Sequence, residues 1–195
     1  MAKKENDKKY LHMILPIYLY GSDVLRVENV DADLSRADEI AGLISDMKET
    51  LKSADGCGLA APQVGVNKRI LIVDGRDLVE SYPELKDFTR TMINPVVLEE
   101  SETQCDYSEG CLSIPGIYAE VRRPKSIRVE YYDESLQKVV EQFDGFACRM
   151  IQHELDHLDG NLFVDKVSPI RRKMISRKLQ NISKGAVSAR YKTKR

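Results

Sequence analysis

The HELDH segment at residues 153–157 constrains the fold of this chain of 195 residues more than any other segment. On an α-helix, residues four apart lie on the same face, so the imidazoles of His153 and His157 can bind one metal ion. The chain has only three histidines, and two of them lie here. Apolar residues form the back of the helix: Met150, Ile151, Leu155 and Leu158. The pattern favours a metal-binding helix packed against a core over two histidines on an exposed, charged helix.

Glu154 indicates that such a site is catalytic. Because it follows the first histidine, its carboxylate projects toward the open side of the metal ion, where it can hold a water molecule and accept its proton. Catalytic metal sites usually have three protein ligands, so one more ligand is needed. Zinc proteases with this motif take a downstream histidine, but Phe163 stands at that position in the HLDGNLF segment, 157–163.

Three residues are candidates for the third ligand: Asp159, Asp165 and Cys111. The two aspartates lie so close to the end of the helix that they cannot easily fold back to the ion. Cys111 lies upstream in the EGCLS segment, 109–113, and a thiolate is a strong ligand for divalent iron or zinc. Taken alone, a cysteine in this position is more often a small buried apolar residue than a metal ligand. Beside a two-histidine site that lacks one ligand, ligation is favoured.

The composition is that of one soluble domain, with 42% hydrophobic and 31% charged residues. No segment approaches the roughly 18 apolar residues that span a bilayer, so we expect no membrane contact. Residues 1–12 lack the apolar region of a secretory signal. We therefore expect a cytoplasmic protein whose four cysteines are thiols.

The chain order of the predicted elements is typical of an α+β fold. The first helix is predicted over 35–53, with Ser35 and Asp38 as a capping box. The other predictions are a helix from Phe143 to Leu158, a helix that begins with Ser168 and Pro169 and ends near Gly185, strands at 69–74 and 92–100, and an antiparallel hairpin at 127–132 and 136–143. We expect antiparallel or mixed sheets wrapped around the central HELDH helix, with a C-terminal helix.

The net charge of −1 conceals a basic C-terminus. Residues 171–195 contain ten Lys or Arg and no Asp or Glu, which favours an anionic partner, although a solvated tail without a partner would have the same composition. We divide the chain into a disordered extension at 1–12, a catalytic domain at 13–168, and a basic helix and tail at 169–195.

Three segments resemble the signatures of the peptide deformylase family, in the same order. They are GCGLAAPQ at 56–63, EGCLS at 109–113 and QHELDHLDG at 152–160. Asp23 departs from the family, whose members often have proline there. The resemblance implies hydrolysis of the formyl group from the N-terminal formyl-methionine of nascent polypeptides, with release of formate. It also implies one divalent ion, typically Fe(II), which Zn, Ni or Co can replace.

The resemblance assigns roles to particular residues. Cys111, His153 and His157 would hold the metal ion, and Glu154 would take a proton from water and pass it to the leaving amine. The side-chain amide of Gln63 and the N–H of Leu112 would stabilise the oxyanion.

Five further residues are predicted to bind the substrate: Cys57, Gly58, Gly110, Arg149 and Met150. The glycines let backbones approach, so an extended peptide can add as a strand between the GCGLAA and EGC segments. Arg149 and Met150 are placed beside the pocket for the methionine side chain. Arg149 has two alternatives, a surface position or an ion pair with Glu109.

Two other functions are alternatives for this sequence. A zinc endopeptidase would use the same motif but lacks its downstream ligand, and a structural metal site with an RNA-binding tail would need four protein ligands. In the resembled family a C-terminal helix is implicated in docking near the ribosomal exit tunnel. We therefore expect residues 171–195 to contact ribosomal RNA.

Overall fold

The computed structural model describes residues 12–195, so the predicted extension lies outside the described residues except for His12. The helices are α1 (Ala37–Ala54), α2 (Gly145–Leu158) and α3 (Pro169–Ser183). The strands are β1 (Ile17–Tyr18), β2 (Gly58–Ala60), β3 (Ile70–Asp74), β4 (Thr89–Glu100), β5 (Gln104–Cys111), β6 (Ile114–Pro124), β7 (Ser126–Tyr132), β8 (Lys138–Asp144) and β9 (Thr193–Lys194). Within the described residues, no helix combines the length and apolar character of a membrane span.

The strands form three sheets. Five strands pair antiparallel in the order β2-β3-β4-β7-β8, β5 and β6 form an antiparallel hairpin, and β1 pairs with β9 in parallel. The predicted α+β class with antiparallel and mixed sheets is confirmed.

Helix α2 lies at the centre because its apolar back has sheet residues to pack against. Met150, Ile151 and Leu155 share a buried cluster with Leu71 of β3 and Val129 of β7. The opposite face of α2 carries the two histidines toward the β5–β6 hairpin. The prediction of sheets around the HELDH helix is therefore confirmed.

The predicted start of α1 is wrong. The hydroxyl and the N–H of Ser35 both donate to the carboxylate of Asp33, and Arg36, not Ser35, occupies the N-cap position. The helix begins after Arg36, and no side chain caps it. The turn at Asp33 uses the Ser35 N–H, which a capping box would direct to the side chain of Asp38.

Helix α2 begins two residues later than predicted. Phe143 and Asp144 belong to β8, where they pair with Ile127 and Ser126 of β7. Because the ladder uses their backbone groups, the helix begins at Gly145.

Helix α3 begins as predicted but buries less of its apolar stripe. The side chain of Ser168 accepts a hydrogen bond from the Arg171 N–H, which confirms the N-cap. Ile175, Leu179 and Ile182 are buried. Ile170 and Met174, predicted in the same stripe, are 77% and 68% exposed, because the first turns of α3 extend beyond the cluster that covers the rest.

Candidate active site

Cys111, His153 and His157 converge at the junction between β5 and α2. Their ligand atoms all lie within 4.8 Å of one another, and Cys111 Sγ is 3.2 Å from Nε2 of His157. The aspartates considered as ligands are elsewhere: Asp159 pairs with Arg69 and Asp165 with Arg26. In the sequence, the thiol lies more than forty residues before the histidines. In the fold, the end of β5 lies beside α2, so the thiol and the imidazoles come together.

The three donors fit a divalent transition-metal ion. One thiolate and two imidazoles form a set that iron, zinc, nickel and cobalt all accept. Nδ1 of His157 is buried without a hydrogen-bond partner among the described residues.

Glu109 fixes the orientation of His153. Its carboxylate lies 2.9 Å from Nδ1 of His153 and accepts hydrogen bonds from Arg123 and Arg149 at 2.6 to 2.9 Å. Burial acts to raise the pKa of Glu109, but the hydrogen bonds from Arg123 and His153 outweigh burial and hold this pKa well below its usual range. Because the Glu109 carboxylate faces Nδ1, Nε2 is the nitrogen of His153 that can bind a metal ion.

The two arginines complete a buried ionic network. Arg123 also pairs with Asp156 of the HELDH segment at 2.7 Å. Arg149 is 2% exposed and donates to the carbonyls of Val121 and Cys105. A surface position for Arg149 is therefore wrong, and the ion pair with Glu109 is confirmed; a role in the methionine pocket stays a prediction.

The side chain of Glu154 is buried beside Gly58. It is 4% exposed, and its Oε2 has no hydrogen-bond partner among the described residues. A Cβ atom on Gly58 would lie 2.3 Å from Oε1, so only glycine leaves room for the carboxylate. Burial raises the pKa of Glu154 to about 7. A carboxyl group with such a pKa can both accept and return a proton near neutral pH.

Gln63 and Leu112 both lie next to Cys111. Oε1 of Gln63 accepts the Ala60 N–H at 2.8 Å, which directs Nε2 toward Ser113 Oγ at 3.2 Å and Cys111 Sγ at 3.6 Å. Leu112 and Ser113 form the tight turn between β5 and β6. Both predicted oxyanion donors therefore lie next to the predicted thiolate ligand.

The remaining predicted substrate residues occupy different environments. Gly110 lies against Tyr118, whose ring would be 2.5 Å from a Cβ atom there. Met150 is 4% exposed and belongs to the core cluster, and the half-buried Cys57 packs against the same cluster. Burial raises the pKa of Cys57 to about 11 and that of Cys148 to about 12, so both remain thiols.

Sequence reasoning missed Tyr191, whose hydroxyl donates to the carbonyl of Leu112 at 2.6 Å. No motif surrounds this residue, and the short strand that follows it has no recognisable period. Asp156 was also missed as a partner of Arg123, although it lies inside the HELDH segment.

A buried carboxylate beside a Cys-His-His cluster, on a helix enclosed by antiparallel sheets, defines a metal-dependent hydrolase. A model of the polypeptide deformylase family matches residues 14–173. The peptide deformylase of Cytophaga hutchinsonii is 43% identical over 182 residues, which cover 93% of this chain and 97% of the relative. That of Fusobacterium nucleatum is 42% identical over 173 residues, which cover 88% of this chain and 94% of the relative.

Solved structures agree with the sequence relatives. A peptide deformylase from Plasmodium falciparum superposes with a TM-score of 0.77 at 33% identity, and covers 87% of this chain and 95% of that one. The peptide deformylase from Thermotoga maritima superposes with a TM-score of 0.73 at 35% identity. The match covers 81% of this chain and 100% of that one. The chain belongs to the peptide deformylase family. It is a metal-dependent hydrolase that removes the formyl group from the N-terminal formyl-methionine of nascent polypeptides, with release of formate.

Proposed function

We propose that Cys111, His153 and His157 are the metal ligands and that the ion in the cell is Fe(II), with Zn, Ni or Co as substitutes. The mixed thiolate and imidazole donors support a borderline divalent ion. When bound, such an ion supplies a Lewis acid and lowers the pKa of water. The rest of the chemistry depends on groups of the chain.

Glu154 is the proposed general base and then general acid. Its Oε2 supports this role, because a carboxylate oxygen without a hydrogen-bond partner among residues 12–195 is available to accept a proton from the attacking water. The same oxygen then gives the proton to the amine nitrogen as the bond to the formyl carbon breaks. General acid–base catalysis of this kind contributes roughly 10²- to 10⁴-fold to a rate.

Gln63 and Leu112 are the proposed oxyanion donors. As water attacks the formyl carbon, negative charge develops on the formyl oxygen. Nε2 of Gln63 and the N–H of Leu112 can donate to that oxygen because both lie beside Cys111. Each donor is neutral, so neither competes for the cation.

The substrate peptide is proposed to bind as an added strand. The short strand β2, which contains Gly58, lies at the edge of the five-stranded sheet, and β5, which ends at Gly110 and Cys111, belongs to the two-stranded hairpin. An extended peptide between them would gain backbone hydrogen bonds. Cys57, Arg149 and Met150 remain the proposed surroundings of the methionine side chain.

The observation that carries these roles is the buried carboxylate of Glu154, which directly follows the cluster residue His153 on α2 and whose Oε2 has no hydrogen-bond partner among the described residues. The test is Glu154→Ala, prepared anaerobically, with metal analysis and formate release from formyl-methionyl peptides. We expect an unchanged metal content and a loss of at least 100-fold in kcat. Near-normal turnover by this variant would exclude Glu154 as the base, and cleavage of internal peptide bonds would favour an endopeptidase.

The proposed division of the chain remains a catalytic part at 13–168 and a basic part at 169–195, in a cytoplasmic protein that meets its substrate at the ribosome. Docking to ribosomal RNA through 171–195 is supported by the exposed cations of α3 and by the exposed Ile170 and Met174. Phosphate contacts of this kind weaken steeply with salt.

Ribosome docking is tested by replacing Lys173, Arg177 and Lys178 together with alanine. All three are exposed, and none makes an ion pair within residues 12–195. We expect co-sedimentation with ribosomes at low salt to fall at least tenfold. The control removes the same charge elsewhere, at Lys52, Lys86 and Lys125, and should leave sedimentation unchanged. Equal sedimentation of both variants would contradict docking through α3.

A further inference from the structure

The C-terminal tail returns to the active site after α3. Residues 186–195 lie beyond the part of the chain that the family model matches, 14–173. Strand β9 pairs in parallel with β1, and the carbonyls of Lys192 and Lys194 each accept a backbone hydrogen bond from the N-terminal segment at 2.9 Å. This pairing fixes the segment of chain that leads into the strand.

Tyr191 lies in this segment, two residues before Thr193. Its hydroxyl donates a hydrogen bond of 2.6 Å to the carbonyl oxygen of Leu112. Its ring and the side chain of Leu112 pack against the same buried cluster, which includes Met47 and Leu51 of α1. The tail therefore contacts the turn beside the proposed metal ligand through both a hydrogen bond and apolar packing.

The turn that carries Leu112 is restrained from several directions. Cys111 pairs with Ile114, so Leu112 and Ser113 alone connect β5 to β6. The N–H of Tyr20 donates to the Ser113 carbonyl at 2.8 Å. With Tyr191 on the preceding carbonyl, both carbonyl groups of the turn are held by other parts of the chain.

We propose that Tyr191 is a positioning residue for deformylation, which orients the Leu112 backbone so that its N–H points at the developing oxyanion. The proposal rests on the role given to Leu112 above. An oxyanion donor stabilises the transition state only when it is held in place before the reaction. Loss of the Tyr191 hydroxyl releases one of the two carbonyl anchors and lets this donor move.

The test is Tyr191→Phe, which keeps the ring and its packing and removes only the hydroxyl. Complete removal of an oxyanion donor costs about 10²- to 10³-fold in kcat, so we expect a partial loss, about tenfold, from a displaced donor. KM should stay within about twofold and metal content should not change, because neither depends on this hydrogen bond. The matched control is Tyr18→Phe, whose hydroxyl makes no hydrogen bond among the described residues, and it should retain wild-type kcat.

Either of two results with Tyr191→Phe would overturn the proposal. One is a Tyr191→Phe enzyme whose kcat equals that of Tyr18→Phe. The other is a loss of activity that follows loss of metal, which would make Tyr191 a support for Cys111 instead. A second variant, the chain ended after Arg190, removes the residue without substitution and must lose at least as much kcat; full activity in it would also overturn the proposal. Failure of the proposed mechanism itself would appear in the Glu154 and Gln63 variants, which leave the tail intact.

Discussion

The carboxylate of Glu109 lies 2.9 Å from Nδ1 of His153 and is 5% exposed. The same carboxylate neutralises two buried arginines, Arg123 and Arg149. A single acidic residue therefore orients a proposed metal ligand and balances the charge of the network behind it. We therefore expect loss of its charge to weaken metal binding and to lower the stability of the fold.

Glu109→Gln should weaken metal binding by about 10- to 100-fold, the usual cost of losing a partner of a ligating histidine. It should also lower the free energy of unfolding by about 3–5 kcal/mol, because it leaves the buried Arg149 without a charged partner and Arg123 with Asp156 alone. Competition with a metal chelator and denaturant unfolding measure the two effects. Glu99→Gln, at an exposed ion pair with Arg128, is the control and should change neither. Unchanged metal affinity in Glu109→Gln would contradict the role of Glu109.

Gly58→Ala should reduce kcat by at least about tenfold, because the added Cβ would lie 2.3 Å from Oε1 of Glu154 and displace the carboxylate. Formate release under saturating substrate measures the effect. The control is Gly42→Ala in α1, where a Cβ atom meets nothing within 4 Å. That change should leave kcat unchanged and stabilise the helix by up to about 1 kcal/mol. Equal kcat in the two variants would show that Gly58 is not needed for the position of Glu154.

Gln63→Glu should reduce kcat by about 10²- to 10³-fold, since a carboxylate in place of the donating amide repels the developing oxyanion. KM for formyl-methionyl peptides should change much less. Steady-state kinetics at equal metal content make the comparison, with the exposed Gln142→Glu as the control for the added charge. A proportional rise in KM with kcat unchanged would assign Gln63 to ground-state binding instead.

The central helix could be predicted because its pattern is local. The i, i+4 histidines and the apolar residues behind them lie within nine consecutive positions, 150–158, and both follow the helical period. The proximity of Cys111 was predicted from a missing ligand and from motif resemblance. The structure brings its sulfur to 3.2 Å from His157.

The remaining features depend on contacts that chain order does not encode. Ser35 has the sequence of a cap, yet its N–H donates to Asp33 and not to the side chain of Asp38. Arg149 is buried because Glu109 of a distant strand neutralises it. The tail that carries Tyr191 gains its structure from pairing with β1 and from the contact of Tyr191 with Leu112, both distant in the chain. Local propensity is silent about each of these long-range partners.

Asp165 links the N-terminal segment to α3, and this link should depend on pH. Its carboxylate pairs with Arg26 and Arg172 and accepts the Leu162 N–H. Burial acts to raise the pKa of Asp165, but the hydrogen bonds from Arg26 and Leu162 and the charges of Arg26 and Arg172 together outweigh burial and lower this pKa. A lowered pKa means that the carboxylate stabilises the fold above the pKa of the unfolded chain, about 4, and that this stability is lost as the pH falls through the folded pKa.

Asp165→Asn should therefore cost about 1 kcal/mol at pH 7, a modest value because the side chain is 30% exposed. The difference from the wild type should begin to shrink as the pH falls below about 4, and it should vanish below the lowered folded pKa, where the wild-type carboxyl group is also neutral. Denaturant unfolding of both proteins between pH 7 and pH 3 measures this difference. The exposed Asp77→Asn, at a position without an ion pair in the described part of the chain, should show no such dependence. A constant difference for Asp165→Asn over the whole range would mean that its cost comes from lost shape and packing, not from charge.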